Sequence, residues 1–293
     1  MVQITAAMVK ELRERTGVGM MDCKKALTAA NGDINAAIEA LRKAGQAKAV
    51  KKGARLATEG LVDIVVSQDG KQVAMVEVNC ETDFVAREVK FKDFVKRVAS
   101  VALQNKTADL SQLQDIEQQR LELVAQLGEN ISIRKVYYDE ITSGVIGSYL
   151  HGGSDAARIG AVAICSDSYD INIAKELAMH IAAMNPEYLD QSSIPNERIE
   201  HEQAIFLAQA KEINAGKPDN VLEKIVTAKL QKFIKDITLL GQIFVKDPKK
   251  TVAAWLQEHN AKVTRYMRYE VGAGLEKKAD DFVSEVMSQV QGD

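Results

Sequence analysis

The sequence predicts an α+β protein: an N-terminal three-helix domain, a duplicated αβ core of two three-stranded-sheet subdomains, an inserted helical hairpin and a C-terminal helix. Three observations predict it. Apolar residues recur at helical spacing in three short segments before residue 45. Beyond residue 60 a strand hairpin, a helix and a closing strand follow one another twice. Between residues 195 and 237 two apolar stripes at spacings of three and four flank the turn Gly216-Lys217-Pro218. The expected division is 1–55 for the three helices and a basic linker, 56–140 for the first core subdomain, and 141–185 with 238–272 for the second. The hairpin insertion occupies 186–237 and the C-terminal helix module 273–293.

The first segment, Ile4 to Thr16, places Met8, Leu12 and Val9 on one face. The second, Met20 to Asn31, aligns Ala26, Leu27 and Ala30, and the third, Asp33 to Ala44, aligns Ile34, Ala37, Ile38 and Leu41. Thr5, Asp22 and Asp33 are candidate caps, and Gly17, Gly19, Gly32 and Gly45 mark the breaks. Met20 and Met21 lie in a Gly-flanked loop, where flexible thioethers serve either as an adaptable contact for a partner or as a plug for a small core. The run Gln46 to Arg55 carries Lys48, Lys51, Lys52 and Arg55 and no acid. It reads first as a solvated linker or helix extension; a phosphate-binding arm is the sharper alternative, without interleaved aromatics to support it.

In the first core copy, Gly60 to Val66, the turn Gln68-Asp69-Gly70 and Val73 to Val78 read as a hairpin, Phe91 to Leu103 as a helix and Ile131 to Tyr138 as the closing strand. In the second, Gly144 to Tyr149 and Ile159 to Ile164 are the hairpin, Ile173 to Ala183 the helix and Val263 to Tyr269 the closing strand. Each second strand ends beside a cysteine, Cys80 or Cys165. The hairpin insertion carries Ile199, Gln203, Phe206, Ala210 and Ile213 outward and Leu222, Val226, Leu230, Phe233 and Ile237 back. A hairpin this small either docks internally or pairs with a second copy. After Gly272-Ala273-Gly274, the tail Ala279 to Val290 has an apolar face formed by Phe282, Val283, Val286, Met287 and Val290.

The junction Glu77-Val78-Asn79-Cys80-Glu81-Thr82-Asp83-Phe84-Val85-Ala86-Arg87 joins a strand to a helix. Thr82 suits the cap and Asp83 the positive end of the helix dipole. Phe84 falls in the first turn, where the ring is either tucked back as core or held outward as an anchor; general burial tendencies favour core. The second copy has Ser166-Asp167-Ser168-Tyr169 at this point, without the acid, aromatic, valine triplet. What differs between duplicated halves is a candidate for function.

Composition narrows the chemistry. The 293 residues exceed one typical core, and 46% apolar with 27% charged residues is the balance of a soluble globular protein. A formal net charge of −3 gives no general attraction for polyanions. No run approaches eighteen apolar residues, and Lys10, Glu11, Arg13, Glu14 and Arg15 stand where a secretory h-region would be. The expectation is a cytoplasmic protein with no membrane contact. Cys23, Cys80 and Cys165 have no metal-like spacing and read as small buried residues; His151, His180, His201 and His259 form no paired motif either. Nucleotide-binding and nucleophile-elbow motifs are absent. Glu77, Glu81 and Asp83 lack a neighbouring His or Lys to complete a carboxylate site, so no enzyme activity, metal or cofactor is expected. The residues alone leave a cytoplasmic interaction protein, with an RNA- or ribosome-associated role as the alternative that the basic run supports.

Two stretches carry more. Leu12-Arg13-Glu14-Arg15-Thr16-Gly17-Val18-Gly19-Met20-Met21-Asp22-Cys23-Lys24-Lys25-Ala26-Leu27 and Glu77 to Arg87 are similar to the two signature segments of bacterial elongation factor Ts. The similarity continues through Gly128-Glu129-Asn130-Ile131, Gly147-Ser148-Tyr149, Ala178-Met179-His180-Ile181-Ala182-Ala183 and Glu258-His259-Asn260. The resemblance implies a guanine nucleotide exchange factor for the translational GTPase elongation factor Tu, with no direct nucleic acid contact and a dimerisation hairpin at 186–237. It implies that Thr82, Asp83, Phe84 and Val85 dislodge magnesium from the GTPase, with Phe84 wedged between helices of its nucleotide domain. It places Leu12, Met20 and Met21 against the same domain and His151 at a core contact elsewhere on the GTPase. His151-Gly152-Gly153 is followed here by the additional Ser154-Asp155-Ala156, a departure from the commoner short form.

Overall fold

The computed structural model describes every residue except Met1, Leu113, 153–156, Ser168, Tyr169, Ala215, Gly216 and 276–293. Helix α1 (Ala6–Thr16) starts at Thr5, whose Oγ1 accepts the Met8 N–H at 3.3 Å, and stops at Gly17 with φ 67°. Helix α2 (Met20–Ala29) follows. Asp33 caps α3 (Ile34–Lys52) by accepting the N–H groups of Asn35 and Ala36 at 2.8 and 3.0 Å. Val9, Leu12, Cys23, Ala26, Leu27 and Ala37 make the core between them.

Two expectations fail here. Asp22 is not a cap: Gly19 holds that position and Asp22 sits in the first turn of α2, where its charge still suits the helix dipole. Gly45 does not break the third helix, which runs on to Lys52 through the basic segment. A Cβ on Gly45 would stand 3.0 Å from the Cβ of Ala125, so the glycine is a point of close helix packing.

The first sheet is formed by β1 (Glu59–Val66), β2 (Gln72–Cys80) and β3 (Ile131–Glu140), antiparallel and in that spatial order. Between β2 and β3 run the short α4 (Asp83–Arg87), then α5 (Val89–Gln104) and α6 (Gln114–Leu127). Phe91, Phe94, Val95, Val98 and Ala102 pack α5 onto Ala74, Val76 and Val78 of β2, and Ile116, Leu123 and Val124 bring α6 into the same cluster. Helix α6 was not among the elements expected.

The second half begins with β4 (Val145–His151), β5 (Ile159–Ser166) and α7 (Ile171–Met184). Next come α8 (Asn196–Ile213) and α9 (Asp219–Ile237), the expected helical pair. A small unexpected unit follows, made of β6 (Ile243–Phe244), β7 (Asp247–Thr251) and α10 (Val252–Glu258), before the closing strand β8 (Lys262–Glu270). The sheet order is β4-β5-β8, again antiparallel. The duplication reaches into register: β2 is irregular between Glu77 and Val78, and β5 between Ile164 and Cys165, shortly before each strand ends. The two sheets bury Val62, Val73, Met75, Ile146, Val162, Ile164 and Tyr269 in a shared cluster.

In the helical pair, Ala210, Leu222 and Val226 are buried, with Phe206 set edge-on to Phe233 at 6.1 Å. The outgoing face differs from the one expected, since Gln203 and Ile213 are exposed while Glu202 turns inward and pairs with Arg198 at 2.9 Å. Positions 198, 202, 206 and 210 advance by four, so the inward stripe drifts about 40° per step around a helix of 3.6 residues per turn instead of keeping the mixed three-and-four spacing of a coiled-coil seam. The tail helix expected at Ala279 to Val290 lies outside the described residues.

Candidate partner-binding site

Strand β2 ends with Cys80, whose buried thiol donates to the Thr82 carbonyl at 3.2 Å. Burial first, then the carboxylates of Glu129 and Glu59, push this thiol up to about 12, so it is no nucleophile at neutral pH. Cys165 is likewise raised by burial, and Cys23, Cys80 and Cys165 are all free and buried, as their spacing led us to expect.

Thr82 caps α4, its Oγ1 accepting the Val85 N–H at 3.4 Å. In this five-residue helix Val85 and Ala86 are buried. At 100° per residue, Phe84 then points about 150° away from the direction midway between them. Its ring is 76% exposed. The reading of Phe84 as core is therefore corrected: the two inward places of so short a helix are taken by Val85 and Ala86. Asp83 is half-buried and pairs with the exposed Arg87 at 2.8 Å across one turn.

The three carboxylates of the junction serve structure separately. Glu77 is fully buried; Arg134 Nη1 lies 2.8 Å and Lys135 Nζ 3.0 Å from its oxygens, and the Gly272 N–H donates at 2.9 Å. Burial works to raise its pKa, but the Gly272, Arg134 and Lys135 bonds together outweigh that and hold the carboxyl below its ordinary value. Glu81 accepts the Asn130 N–H at 2.6 Å. With Asp83 turned to Arg87, the three do not converge on a common point, and among the described residues no cluster of His, Cys, Asp or Glu is placed to hold a metal ion.

A second exposed apolar group lies on the helix pair. Met20 and Met21 at the start of α2 are 58% and 66% exposed, whereas Leu12 is fully buried in the three-helix core and holds α1 from beneath. The α1–α2 loop abuts the segment after Phe84. Gln126 Nε2 donates to the Thr16 carbonyl at 2.9 Å, and Lys90 Nζ donates to Gln126 Oε1 at 2.9 Å. Next to Lys90 is Val89, 69% exposed. His151 belongs to the other sheet, exposed at the end of β4 and 3.3 Å from the Tyr149 hydroxyl through Nδ1. The loop that separates it from Ala157 is mostly outside the described residues. The site's resources are thus exposed apolar side chains on helices whose opposite faces are buried.

A sequence model described as Elongation factor TS matches residues 81–273. The chain is 49% identical to the elongation factor Ts of Thioalkalivibrio sulfidiphilus over 297 aligned residues, covering 99% of each. It is 47% identical to that of Legionella pneumophila, with 99% and 100% covered, and 50% identical to that of Yersinia pestis, with 98% of each covered. The chain belongs to the elongation factor Ts family.

The match to the elongation factor Ts description opens at Glu81, the first residue of the loop that carries Phe84. That loop is held by a residue whose part in it the sequence left unassigned. Glu129 Oε2 accepts the N–H groups of Glu81 and Thr82 at 3.1 and 3.0 Å, and its Oε1 accepts the Thr82 hydroxyl at 2.6 Å. Glu129 lay inside one of the stretches similar to the elongation factor Ts family, but nothing local tied it to a loop nearly fifty residues earlier. Val89 did leave a signal: it is an apolar residue out of phase with the stripe Phe91, Phe94, Val95, Val98 that α5 buries.

Proposed function

We propose that this chain is a guanine nucleotide exchange factor for elongation factor Tu, acting in the cytoplasm during translation elongation and breaking no bonds itself. The observation that carries the reading is Phe84: a large apolar ring, 76% exposed, on a one-turn helix whose next two side chains are buried. The ring gains little packing from its own chain, and aromatic side chains are enriched where a partner covers them, which supports a contact here. In the proposed division of labour residues 1–55 bind the GTPase through Met20 and Met21 with Leu12 supporting them, and Thr82, Asp83, Phe84 and Val85 form the wedge. In the same reading His151 makes a further contact with the GTPase and the hairpin at 186–237 joins two copies.

Magnesium in a GTPase joins phosphate oxygens to protein ligands in octahedral geometry at about 2.0 to 2.1 Å. A ring inserted among the elements that carry those ligands disturbs the geometry without touching the nucleotide. Weakening GDP then follows by linkage, and GDP weakens the factor's own binding by the same ratio. A ten-thousandfold shift needs about 5.5 kcal/mol of differential binding, whereas burying one Phe yields about 1.5 to 3 kcal/mol. The wedge must therefore be held in place by other contacts, for which Met20, Met21 and Val89 are suitably exposed.

The basic run offers less to a rival RNA-binding role. Lys52 Nζ donates to the Gly128 carbonyl and Arg55 lies 3.6 Å from Glu81, so both cations have partners within the chain. The test is release of fluorescent GDP from elongation factor Tu. The parent chain accelerates release and a folded Phe84→Ala variant does so at least tenfold less; equal acceleration by the two would remove the wedge from the reading.

A further inference from the structure

We infer that Glu129 and Glu81 form a crossed clasp that positions the Phe84 wedge relative to the N-terminal helix pair, which makes Glu129 a positioning residue for exchange. The inference rests on the exchange reading above. Its basis is that each glutamate accepts from the backbone of the other's segment. Glu129 takes the N–H groups of Glu81 and Thr82 and the Thr82 hydroxyl, while Glu81 takes the N–H of Asn130, the neighbour of Glu129, at 2.6 Å. Four hydrogen bonds to glutamate side-chain oxygens thus join the two chain segments.

The clasp has a third arm. Asn130 Nδ2 donates to the Arg55 carbonyl at 2.7 Å, and the Arg55 guanidinium approaches Glu81 at 3.6 Å. Arg55 lies three residues past the end of α3, the helix that carries the three-helix unit. One node therefore gathers the exit of the N-terminal unit, the start of the wedge loop and the entry to β3. The exposed ring has little packing of its own to fix it. Val85 and Ala86 anchor α4 from below, but the cap residue Thr82, and with it the helix start, is held by Glu129. A wedge that must reach a neighbour's metal surroundings at the same time as Met20 and Met21 engage it needs a fixed separation between the two groups, and the clasp supplies it.

The experiment measures GDP release from elongation factor Tu against factor concentration for the parent, Glu129→Ala and Glu129→Gln, alone and with Phe84→Ala. Glu129→Ala lowers the maximal release rate about tenfold, short of the roughly hundredfold that a full 1 Å misplacement can cost because Val85 and Ala86 still anchor the helix, and leaves the half-saturating concentration within about twofold. Glu129→Gln retains the rate within about threefold, since its carbonyl still accepts both N–H groups and its amide donates to the Thr82 hydroxyl. In the Phe84→Ala background Glu129→Ala adds less than about twofold, as expected when one residue acts through the other. Amide exchange at Glu81 and Thr82 speeds up in Glu129→Ala while that of α7 is unchanged, which separates local release from unfolding. A Glu129→Ala rate equal to the parent's, or a full Glu129 effect persisting without Phe84, overturns the clasp. A parent chain that fails to accelerate release at all sinks the exchange reading and this inference with it, a result distinguishable from either of those.

Discussion

Gln126 reaches from α6 to the last carbonyl of α1, placing its Nε2 2.9 Å from Thr16 O, while its Oε1 receives the Lys90 ammonium. One amide thereby ties the helix pair that bears Met20 and Met21 to the helix that follows Phe84. The three-helix unit is small, and units of this size are marginal alone. Losing a partly buried hydrogen bond costs about 1 kcal/mol. Gln126→Ala is therefore expected to raise amide exchange in α1 and α2 about fivefold, with the strands of both sheets unaffected. Hydrogen exchange read by mass spectrometry checks this, and unchanged exchange in α1 would show that other contacts carry the tether.

His180 gives the second half a pH dependence. It is fully buried; its Nδ1 accepts the Val245 N–H at 3.2 Å and its Nε2 lies 3.0 Å from Gln242 Oε1. The ring must be neutral, with the proton on Nε2, to satisfy both. Burial lowers its pKa, and the Gln242 bond only partly opposes this. The unfolded chain therefore binds a proton more readily than the folded one below the ordinary histidine value of about 6.5. The stabilisation is complete above that value and declines as pH falls below it toward the lower, folded pKa. Urea midpoints between pH 7.5 and 5.5, followed by the fluorescence of Trp255, which stacks on Phe244 next to His180, are expected to fall in the parent. In His180→Gln the fall is smaller, although the variant is less stable at pH 7.5.

Gly147 marks where β4 and α7 meet backbone to backbone. A Cβ there would lie 2.1 Å from the Ala174 carbonyl carbon and 2.4 Å from the Lys175 nitrogen, distances that no rotamer change relieves. Gly147→Ala must force helix and strand apart and is expected to cost about 3 kcal/mol, the upper end for overpacking. Gly19→Ala is the control, since nothing stands within 4 Å of its added Cβ. Thermal unfolding of the two variants decides the matter; similar midpoints would mean that α7 shifts freely.

How much of this was legible in the sequence follows from the range of the forces involved. Strands of β-branched residues and helices with a stripe every three to four positions were visible because those patterns are local, and the duplicated order made each half support the other. Helix α6 was missed although Ile116, Leu123 and Val124 are buried, because the polar residues of Gln114 to Gln119 dilute its apolar stripe. The outward ring of Phe84 was not readable from composition, since an average tendency to bury aromatics says nothing about which residues take the inward places of a five-residue helix. The resemblance to a known family pointed to the ring, but not to what braces it: Glu129 meets Thr82 across 47 positions. Gly147 read as an ordinary strand residue because the helix that crowds it lies more than twenty residues ahead.

Val89 separates a surface contact from a structural one. It opens α5 five residues beyond Phe84, is 69% exposed, and is followed by Lys90, which binds Gln126. Its side chain is off the buried stripe, so the folded chain gains little from it, and exposed substitutions of this kind change stability by no more than about 0.5 kcal/mol. Val89, Phe84, Met20 and Met21 are each large apolar side chains left exposed, so Val89 is a candidate for a further contact with the same partner. Removing it should weaken the hold on elongation factor Tu rather than the wedging itself. Val89→Ser is accordingly expected to raise the half-saturating concentration for GDP release about threefold to tenfold, the range for losing a buried aliphatic contact of about 1 kcal/mol, with the maximal rate near that of the parent. A change confined to the maximal rate would instead place Val89 with Phe84 in the wedge, and no change in either quantity would leave it outside the contact altogether.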